Sequence, residues 1–197
     1  MTPQVICYSL DPETPLLGSG ADWGVTARTP PPSERRMQSI SLDLEAILAH
    51  QMNRPPYLMI DAVTAVVPGQ RARGYKDLPA DTWFFECHFP GDPTMPGMLQ
   101  AESLIQMAAM CVLTLPDHKG KIVYLTKMRE MIFRRKVVPG DRLDLDTALI
   151  SWRRGIGHCT GEASVAGTLA CRAEFDIVMP DLLQQFHVAP ERSVARP

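Results

Sequence analysis

Three residues within a stretch of 15 could together perform proton chemistry. His88 carries an imidazole, whose neutral form can accept a proton near neutral pH. Glu102 lies in a run of apolar residues, and burial favours the uncharged, protonated form of a carboxyl group. Gly97 follows Pro96 where a helix is predicted to begin, so its amide is unpaired and faces any nearby anion. One base, one acid and one oxyanion donor suit proton removal beside a thioester carbonyl, with loss of a hydroxyl group.

Each of these residues also has a plain structural interpretation. Glu102 could lie on a solvated strip with Gln106, one helical turn later, and His88 could be a hydrogen-bonded structural histidine. Cys87 adjoins His88, but neighbours on a strand point to opposite faces, so a thiol nucleophile is disfavoured and a packing role is expected. Pro96 and Gln106 flank the acid and the oxyanion donor and are further candidates for substrate binding.

The elements around these residues are predicted to bring them to one pocket. Pro and Gly recur between His88 and Gly97, which excludes a helix there and indicates a shaped loop. Residues 98–115 then have the pattern of one helix, about 27 Å long, that is apolar on nearly every side. Such a helix should be enclosed by the rest of the protein.

The remaining segments predict an α+β protein with an antiparallel meander. A short helix after Ser41, which could cap it, ends before Pro55. Turn residues separate strand-like segments at 57–67, 70–76, 82–85, 122–127, 131–138, 142–152, 157–165 and 168–179. Residues 1–38 are predicted to form an irregular Pro-rich extension, 39–182 the folded domain, and 183–197 a C-terminal tail.

Composition excludes several classes of protein. Of 197 residues, 45% are apolar and 21% charged, which is typical of a soluble globular protein. The net charge of -2 gives the chain no general attraction to nucleic acid. Polar residues interrupt the longest apolar run, so no membrane span is expected. An odd number of widely spaced cysteines argues against disulfides or structural zinc and favours reduced thiols in the cytoplasm: Cys7, Cys87, Cys111, Cys159 and Cys171.

One block of sequence resembles a known enzyme family. The residues from His88 to Gln106, HFPGDPTMPGMLQAESLIQ, are similar to the HFPGxPxMPGxLxxExxxQ block of the FabZ-type 3-hydroxyacyl-acyl-carrier-protein dehydratases. RPPYLMID at 54–61 and FRRKVVPGDRLDLD at 133–146 are similar to other segments of that family. The resemblance extends over residues 41–180.

This resemblance implies a hot-dog fold, in which a curved antiparallel sheet wraps a long central helix. It implies a homodimer or higher homo-oligomer, in which His88 of one subunit faces Glu102 of the other. His88 would remove a proton from C2, Glu102 would protonate the leaving hydroxyl, and the Gly97 amide would bind the carbonyl. The substrate would arrive on the phosphopantetheine arm of acyl carrier protein, and no metal or redox cofactor is implied.

Other functions stay open at this stage. The segment TWFFECHFPGDPTMPG also resembles the FabA-type dehydratase/isomerases, which have Asp where this chain has Glu102. Glu102 favours dehydration alone. A hot-dog thioesterase and a non-catalytic acyl-binding subunit are the remaining alternatives. The N-terminal extension, absent from compact family members, favours a specialised pathway such as polyketide or polyunsaturated lipid synthesis.

Five basic residues lie close together in the sequence, between positions 127 and 136. Such residues usually form a solvated face. The alternative is a docking site for the acidic carrier protein and its phosphate, since guanidinium groups match phosphate geometry. The residues are Lys127, Arg129, Arg134, Arg135 and Lys136.

Overall fold

The computed structural model of the chain describes residues 39–183. The predicted extension at 1–38 and the tail beyond residue 183 lie outside the described residues. The described part forms seven strands, three α-helices and one short 3-10 helix. In chain order these are β1 Ile40–Leu42, α1 Leu44–His50, β2 Ala62–Val67, β3 Arg71–Asp77, the 3-10 helix Trp83–Glu86, α2 Gly97–Leu113, β4 Tyr124–Phe133, β5 Arg142–Arg153, β6 Ile156–Val165, β7 Thr168–Val178 and α3 Pro180–Leu183.

The strands form one antiparallel sheet in the order β1-β2-β3-β5-β6-β7-β4. Strands β5, β6 and β7 form the predicted meander, joined by tight turns at Arg154-Gly155 and Ala166-Gly167, all four with positive φ. The meander is wrong for β4, which pairs with β7 and lies at the outer edge. The predicted strands at 122–127 and 131–138 are one strand, because two register shifts let β4 continue along β7.

Helix α2 lies against the sheet and is enclosed as predicted. Fourteen of its 17 residues are buried. Close approach depends on glycine at Gly161 of β6, where an added Cβ would lie 3.1 Å from Leu104 of the helix. A sheet that wraps one long helix is the expected hot-dog architecture, which is thereby confirmed. No helix described between residues 39 and 183 is long and apolar enough to cross a membrane.

Two local predictions are wrong. Ser41 does not cap α1, because it lies in β1; Asp43 is the cap, and its Oδ1 accepts a hydrogen bond from the Ala46 amide at 2.9 Å. The segment 82–85 is not a strand. Phe84 and Phe85 are adjacent and both buried. Adjacent residues of a strand point to opposite faces of the sheet, so a strand with one buried face would bury only one of them, whereas the 3-10 turn buries both.

The predicted strand at 57–67 is also too long. Only Ala62–Val67 pairs with β3 as a strand, and the Tyr57 amide instead closes a turn on the Arg54 carbonyl. Leu58, Met59 and Ile60 are consecutive and all buried. Their apolar run therefore reflects burial on several sides and not strand pairing.

Candidate active site

The loop after the 3-10 helix holds the His88 imidazole in one tautomer. Its Nδ1 lies 2.9 Å from the Thr94 carbonyl oxygen. A carbonyl can only accept, so in the neutral imidazole Nδ1 carries the hydrogen and donates it, and Nε2 is the nitrogen with a free lone pair. The Thr94 amide returns a bond of 2.8 Å to the His88 carbonyl. Half-buried His88 is thus presented with Nε2 as a free base.

The same loop is fastened to the segment that follows β4. Thr94 Oγ1 donates to the Val137 carbonyl at 3.1 Å, and the Met95 amide donates to the same oxygen at 2.7 Å. Lys136 Nζ lies 2.5 Å from an Asp92 carboxylate oxygen. The His88 ring stacks on Phe89, with ring centroids 4.0 Å apart. These contacts restrict the position of the imidazole.

Helix α2 begins at Gly97 with unpaired amides. The Pro96 carbonyl accepts from the amides of Leu99 and Gln100, at 2.9 and 3.2 Å. The amides of Gly97 and Met98 have no acceptor within residues 39–183. This arrangement could stabilise negative charge on a carbonyl oxygen. The prediction that Pro96 itself binds substrate stays a prediction.

Gly97 cannot carry a side chain without moving its neighbour. A Cβ added there would lie 2.6 Å from Cζ of Phe133, at the end of β4. The Phe133 ring therefore covers the position where a side chain would stand. Because glycine has no side chain, the start of the helix can lie close to β4. The Gly97 amide is also not covered by a side chain of the same residue.

Gln106 braces Glu102 from one turn farther along α2. Its Nε2 donates to Glu102 Oε1 at 2.8 Å and to the Tyr57 carbonyl at 3.0 Å. Its Oε1 accepts from the Met59 amide at 2.9 Å. Gln106 is only 2% exposed, so the alternative interpretation of a solvated strip does not hold at this residue. Half-buried Glu102 has no other hydrogen bond within the described residues, so its Oε2 has no partner there.

Sequence reasoning missed this bracing role, although a glutamine four residues after a helical glutamate was a signal for it. Both backbone partners of Gln106 lie almost 50 positions away in sequence, at Tyr57 and Met59. That Gln106 contacts substrate stays a prediction. Tyr57 is a further missed neighbour: its own burial and, second, the Glu102 carboxylate raise the pKa of its phenol. Tyr57 therefore keeps its proton and could donate a hydrogen bond near Glu102.

Glu102 lines a cleft of about 340 Å³ along one face of α2. Ile105, Ala109 and Leu113 continue the helix wall, and residues 121–125 form part of the facing wall. His88 and Gly97 do not line this cleft, and no hydrogen bond joins His88 to Glu102 in the described chain. Within the described part of one chain, the base and the acid therefore do not share this cleft.

Cys87 does not pack as expected. It is exposed, and its Sγ donates to the Phe84 carbonyl at 3.4 Å and not to His88. The structure offers no support for a Cys87–His88 dyad, since the imidazole Nδ1 is taken by Thr94. The four described cysteines are all free thiols. In the described part of the chain, no three His, Cys, Asp or Glu side chains are arranged to hold a metal ion.

Iodoacetamide should label Cys87 alone when the native protein carries Cys7→Ser. The thiolate is the reacting form, and burial raises the pKa of Cys111 and of Cys171 to about 12 and that of Cys159 further. We expect one added group by mass spectrometry at about pH 8, and four after unfolding. Cys87→Ser in the same background should remove the native label. Native labelling of a buried thiol would contradict the packing of α2 on the sheet.

The basic residues are mostly neutralised within the chain. Lys127 and Arg134 make no ion pair within residues 39–183 and are exposed. The other three each face a carboxylate: Arg129 with Asp176, Arg135 with Asp141, and Lys136 with Asp92. Lys127, in the first half of β4, and Arg134, directly after it, are therefore the better candidates to meet an anionic partner.

Comparison with known sequences shows the family to which the chain belongs. Residues 52–174 match the FabA-like domain. The chain is 40% identical over 147 residues to a 3-hydroxyacyl-[acyl-carrier-protein] dehydratase FabZ of Alkaliphilus metalliredigens. The aligned region covers 74% of this chain and 98% of that protein. It is 41% identical over 140 residues to the FabZ of Chloroflexus aggregans, covering 71% of this chain and 97% of that one.

Solved structures support the fold. The dehydratase heterocomplex ApeI:P from Xenorhabdus doucetiae matches with a TM-score of 0.60 at 16% identity, covering 72% of this chain and 97% of that chain. Protein PH1136 from Pyrococcus horikoshii matches with a TM-score of 0.50 at 12% identity, covering 66% and 91%. At these identities the likeness concerns the fold and not the chemistry.

Proposed function

The chain belongs to the FabA-like family, and we propose from this membership and from the site that it removes water from a 3-hydroxyacyl group carried on acyl carrier protein. The product is the trans-2-enoyl thioester of fatty acid or polyketide-type synthesis. The enzyme is a 3-hydroxyacyl-[acyl-carrier-protein] dehydratase. The observation that supports this chemistry best is the tautomer of His88, whose Nε2 is left free as a base by the bond from Nδ1 to Thr94.

The reaction needs two proton transfers and no redox step. Nε2 of His88 takes the proton from C2, and the electron pair of that C–H bond forms the C2=C3 double bond. The C3–O bond breaks as Glu102 gives its proton to the oxygen, and water leaves. The Gly97 amide stabilises the negative charge that develops on the thioester oxygen. The gain in oxidation state at C2 equals the loss at C3, so the substrate is neither oxidised nor reduced overall, and we propose that no redox cofactor takes part.

A second copy of the chain is proposed to complete the site. Strand β4, ten residues long, is the outer edge of the sheet, and its far side has no strand partner among the described elements. It carries exposed large apolar side chains at Tyr124, Leu125 and Phe133. A long apolar edge of this kind favours pairing with another strand. We propose a two-fold homodimer joined through β4, with higher assemblies built from it.

Antiparallel pairing of two β4 strands would supply the missing half of each site. The start of β4, at Tyr124 and Leu125, lines the cleft of Glu102. The end of β4, at Phe133, lies against Gly97. A two-fold axis across β4 sets the start of one strand beside the end of the other. Glu102 of one subunit would then meet His88 and Gly97 of the partner subunit.

The carrier protein is proposed to dock beside β4. Lys127 and Arg134 are free to pair with its acidic surface or with the phosphate of the phosphopantetheine arm. Arg129, Arg135 and Lys136 could contribute less, because each already has a carboxylate partner. The four described cysteines are free thiols, as is usual for proteins of a reducing compartment. We propose that the protein is located in the cytoplasm.

A direct assay tests the proposed function. We expect 3-hydroxyacyl-carrier-protein substrates of several chain lengths to lose one water each, as followed by intact mass. Separation of the released acyl groups should reveal only the 2-enoyl isomer, in keeping with Glu102 at the position of the acid. A 3-enoyl product would establish isomerisation in addition. Release of free carrier thiol in place of water would identify a thioesterase, and binding without any reaction would identify a non-catalytic acyl-binding protein.

A further inference from the structure

The cleft that begins at Glu102 is long enough to take the rest of an acyl chain. Its helix wall continues through Ile105, Ala109 and Leu113 of α2. Because an α-helix rises about 1.5 Å per residue, this wall extends roughly 16 Å beyond Glu102. These three apolar side chains suit methylene groups, while Gln51, Asn53 and Lys121 give the cleft a polar part. An acyl group with its C3 oxygen at Glu102 could lie along this wall.

Gln51 places an amide without hydrogen-bond partners beside this cleft. It lines the same cleft and is only 2% exposed, yet neither its Nε2 nor its Oε1 has a hydrogen-bond partner in the described structure. The backbone of Gln51 is satisfied, since its N–H donates to the Ile47 carbonyl and its carbonyl accepts from Arg54. Only the side chain lacks partners.

Buried polar groups are nearly always paired, because an unpaired one loses its bonds to water without replacement. Gln106 lines the same cleft and has both ends of its amide paired. Gln100 is buried outside the cleft, and its Nε2 bonds weakly to the Met95 carbonyl at 3.4 Å while its Oε1 has no partner. Gln51 is therefore the cleft residue with both a donor and an acceptor still to be satisfied.

We propose that Gln51 binds a second oxygen on the acyl chain, and that the preferred substrate carries a hydroxyl group beyond C3. This inference rests on the proposed dehydratase function. A hydroxyl both donates and accepts, so it can pair with Oε1 and with Nε2 of the amide. A ketone only accepts and leaves Oε1 unpaired, and a methylene pairs with neither. The amide atoms are buried beside the cleft that Gln51 lines, so this binding requires the Gln51 side-chain torsions to change.

The test compares three 3-hydroxyacyl-carrier-protein substrates of equal length. They carry a hydroxyl, a ketone or a methylene at the same distal carbon, and that carbon is varied along the chain. At the best position we expect kcat/KM for the hydroxyl substrate to exceed that for the methylene substrate by about 10- to 100-fold, with the ketone between them. Gln51→Met should abolish this ratio by losing the hydroxyl substrate and not the methylene one.

Gln51→Met has the length of glutamine without its polar atoms, so it should fold and have an equal or higher Tm. Gln51→Leu provides a second apolar variant. Gln100→Met is the matched control, because it removes another buried glutamine from outside the cleft and should leave the substrate ratio unchanged. A change of equal size in Gln100→Met would overturn the inference.

Other outcomes separate this inference from the function on which it rests. Wild-type protein that dehydrates all three substrates equally remains a dehydratase and overturns the role of Gln51. If the amide instead pairs across subunits, Gln51→Met weakens the dimer in sedimentation without altering the ratio, which also overturns it. If none of the three substrates loses water, the proposed function and this inference fall together.

Discussion

His88→Ala and Glu102→Gln should each lower kcat for dehydration by about 10²- to 10⁴-fold, the range typical of a lost general acid or base. Alanine removes the base, and glutamine keeps the size of Glu102 without an acidic proton. The measurement is loss of water from a 3-hydroxyacyl-carrier-protein substrate under single-turnover conditions. These conditions isolate the chemical step from product release.

Two comparisons distinguish a chemical effect from a structural one. His88→Asn keeps an N–H donor that can reach the Thr94 carbonyl, so it should hold the loop in place. The asparagine amide has no basic nitrogen, so this variant should be as inactive as His88→Ala. His88→Asn and Glu102→Gln should retain the wild-type Tm, and all three variants should retain the wild-type mass in solution. Near-normal turnover in any of them would remove that residue from the proposed chemistry.

A heterodimer of one His88→Ala chain and one Glu102→Gln chain should recover about half of the wild-type activity. If each site takes its base from one subunit and its acid from the other, one of the two sites in this heterodimer carries both changes and the other carries neither. The two chains carry different affinity tags, and the heterodimer is purified through both tags. Each parent homodimer should remain inactive.

The matched control places both changes in one chain and pairs it with a wild-type chain. Sites shared between subunits would then each contain one altered residue, so this heterodimer should be nearly inactive. Sites built within single chains would give the opposite pattern, with activity in the control and none in the first heterodimer. That reversed pattern would refute the shared site.

Local features of the chemistry were predictable from local sequence. His88, Gly97 and Glu102 lie within 15 residues, in a Pro/Gly loop followed by an unbroken apolar run. The Pro and Gly residues predict a loop without a helix, and the apolar run predicts an enclosed helix. The structure has both the loop and the enclosed helix. Helix α2 begins at Gly97, one residue before the predicted start. Such patterns predict the structure correctly because each depends on residues only a few positions apart.

Short elements were predicted less well, because several residues in one segment can play the same part. Ser41 and Asp43 are both good capping residues, and only the pairing of Ser41 in β1 decides between them. The apolar runs at 57–60 and 82–85 resemble strands, although burial on more than one side explains them. Periodicity cannot distinguish these cases in such short segments.

By itself, the sequence determined the kinds of chemical group present and the helix that carries the acid. The tertiary structure decided which groups meet: β4 lies beside β7 at the sheet edge, Gln106 bridges Glu102 to Tyr57 and Met59, and Gln51 is left unpaired. The physical reason is range. Helical periodicity and turn chemistry act over a few residues, whereas strand order and buried hydrogen bonds join positions almost 50 residues apart, and these depend on how the whole sheet closes around α2.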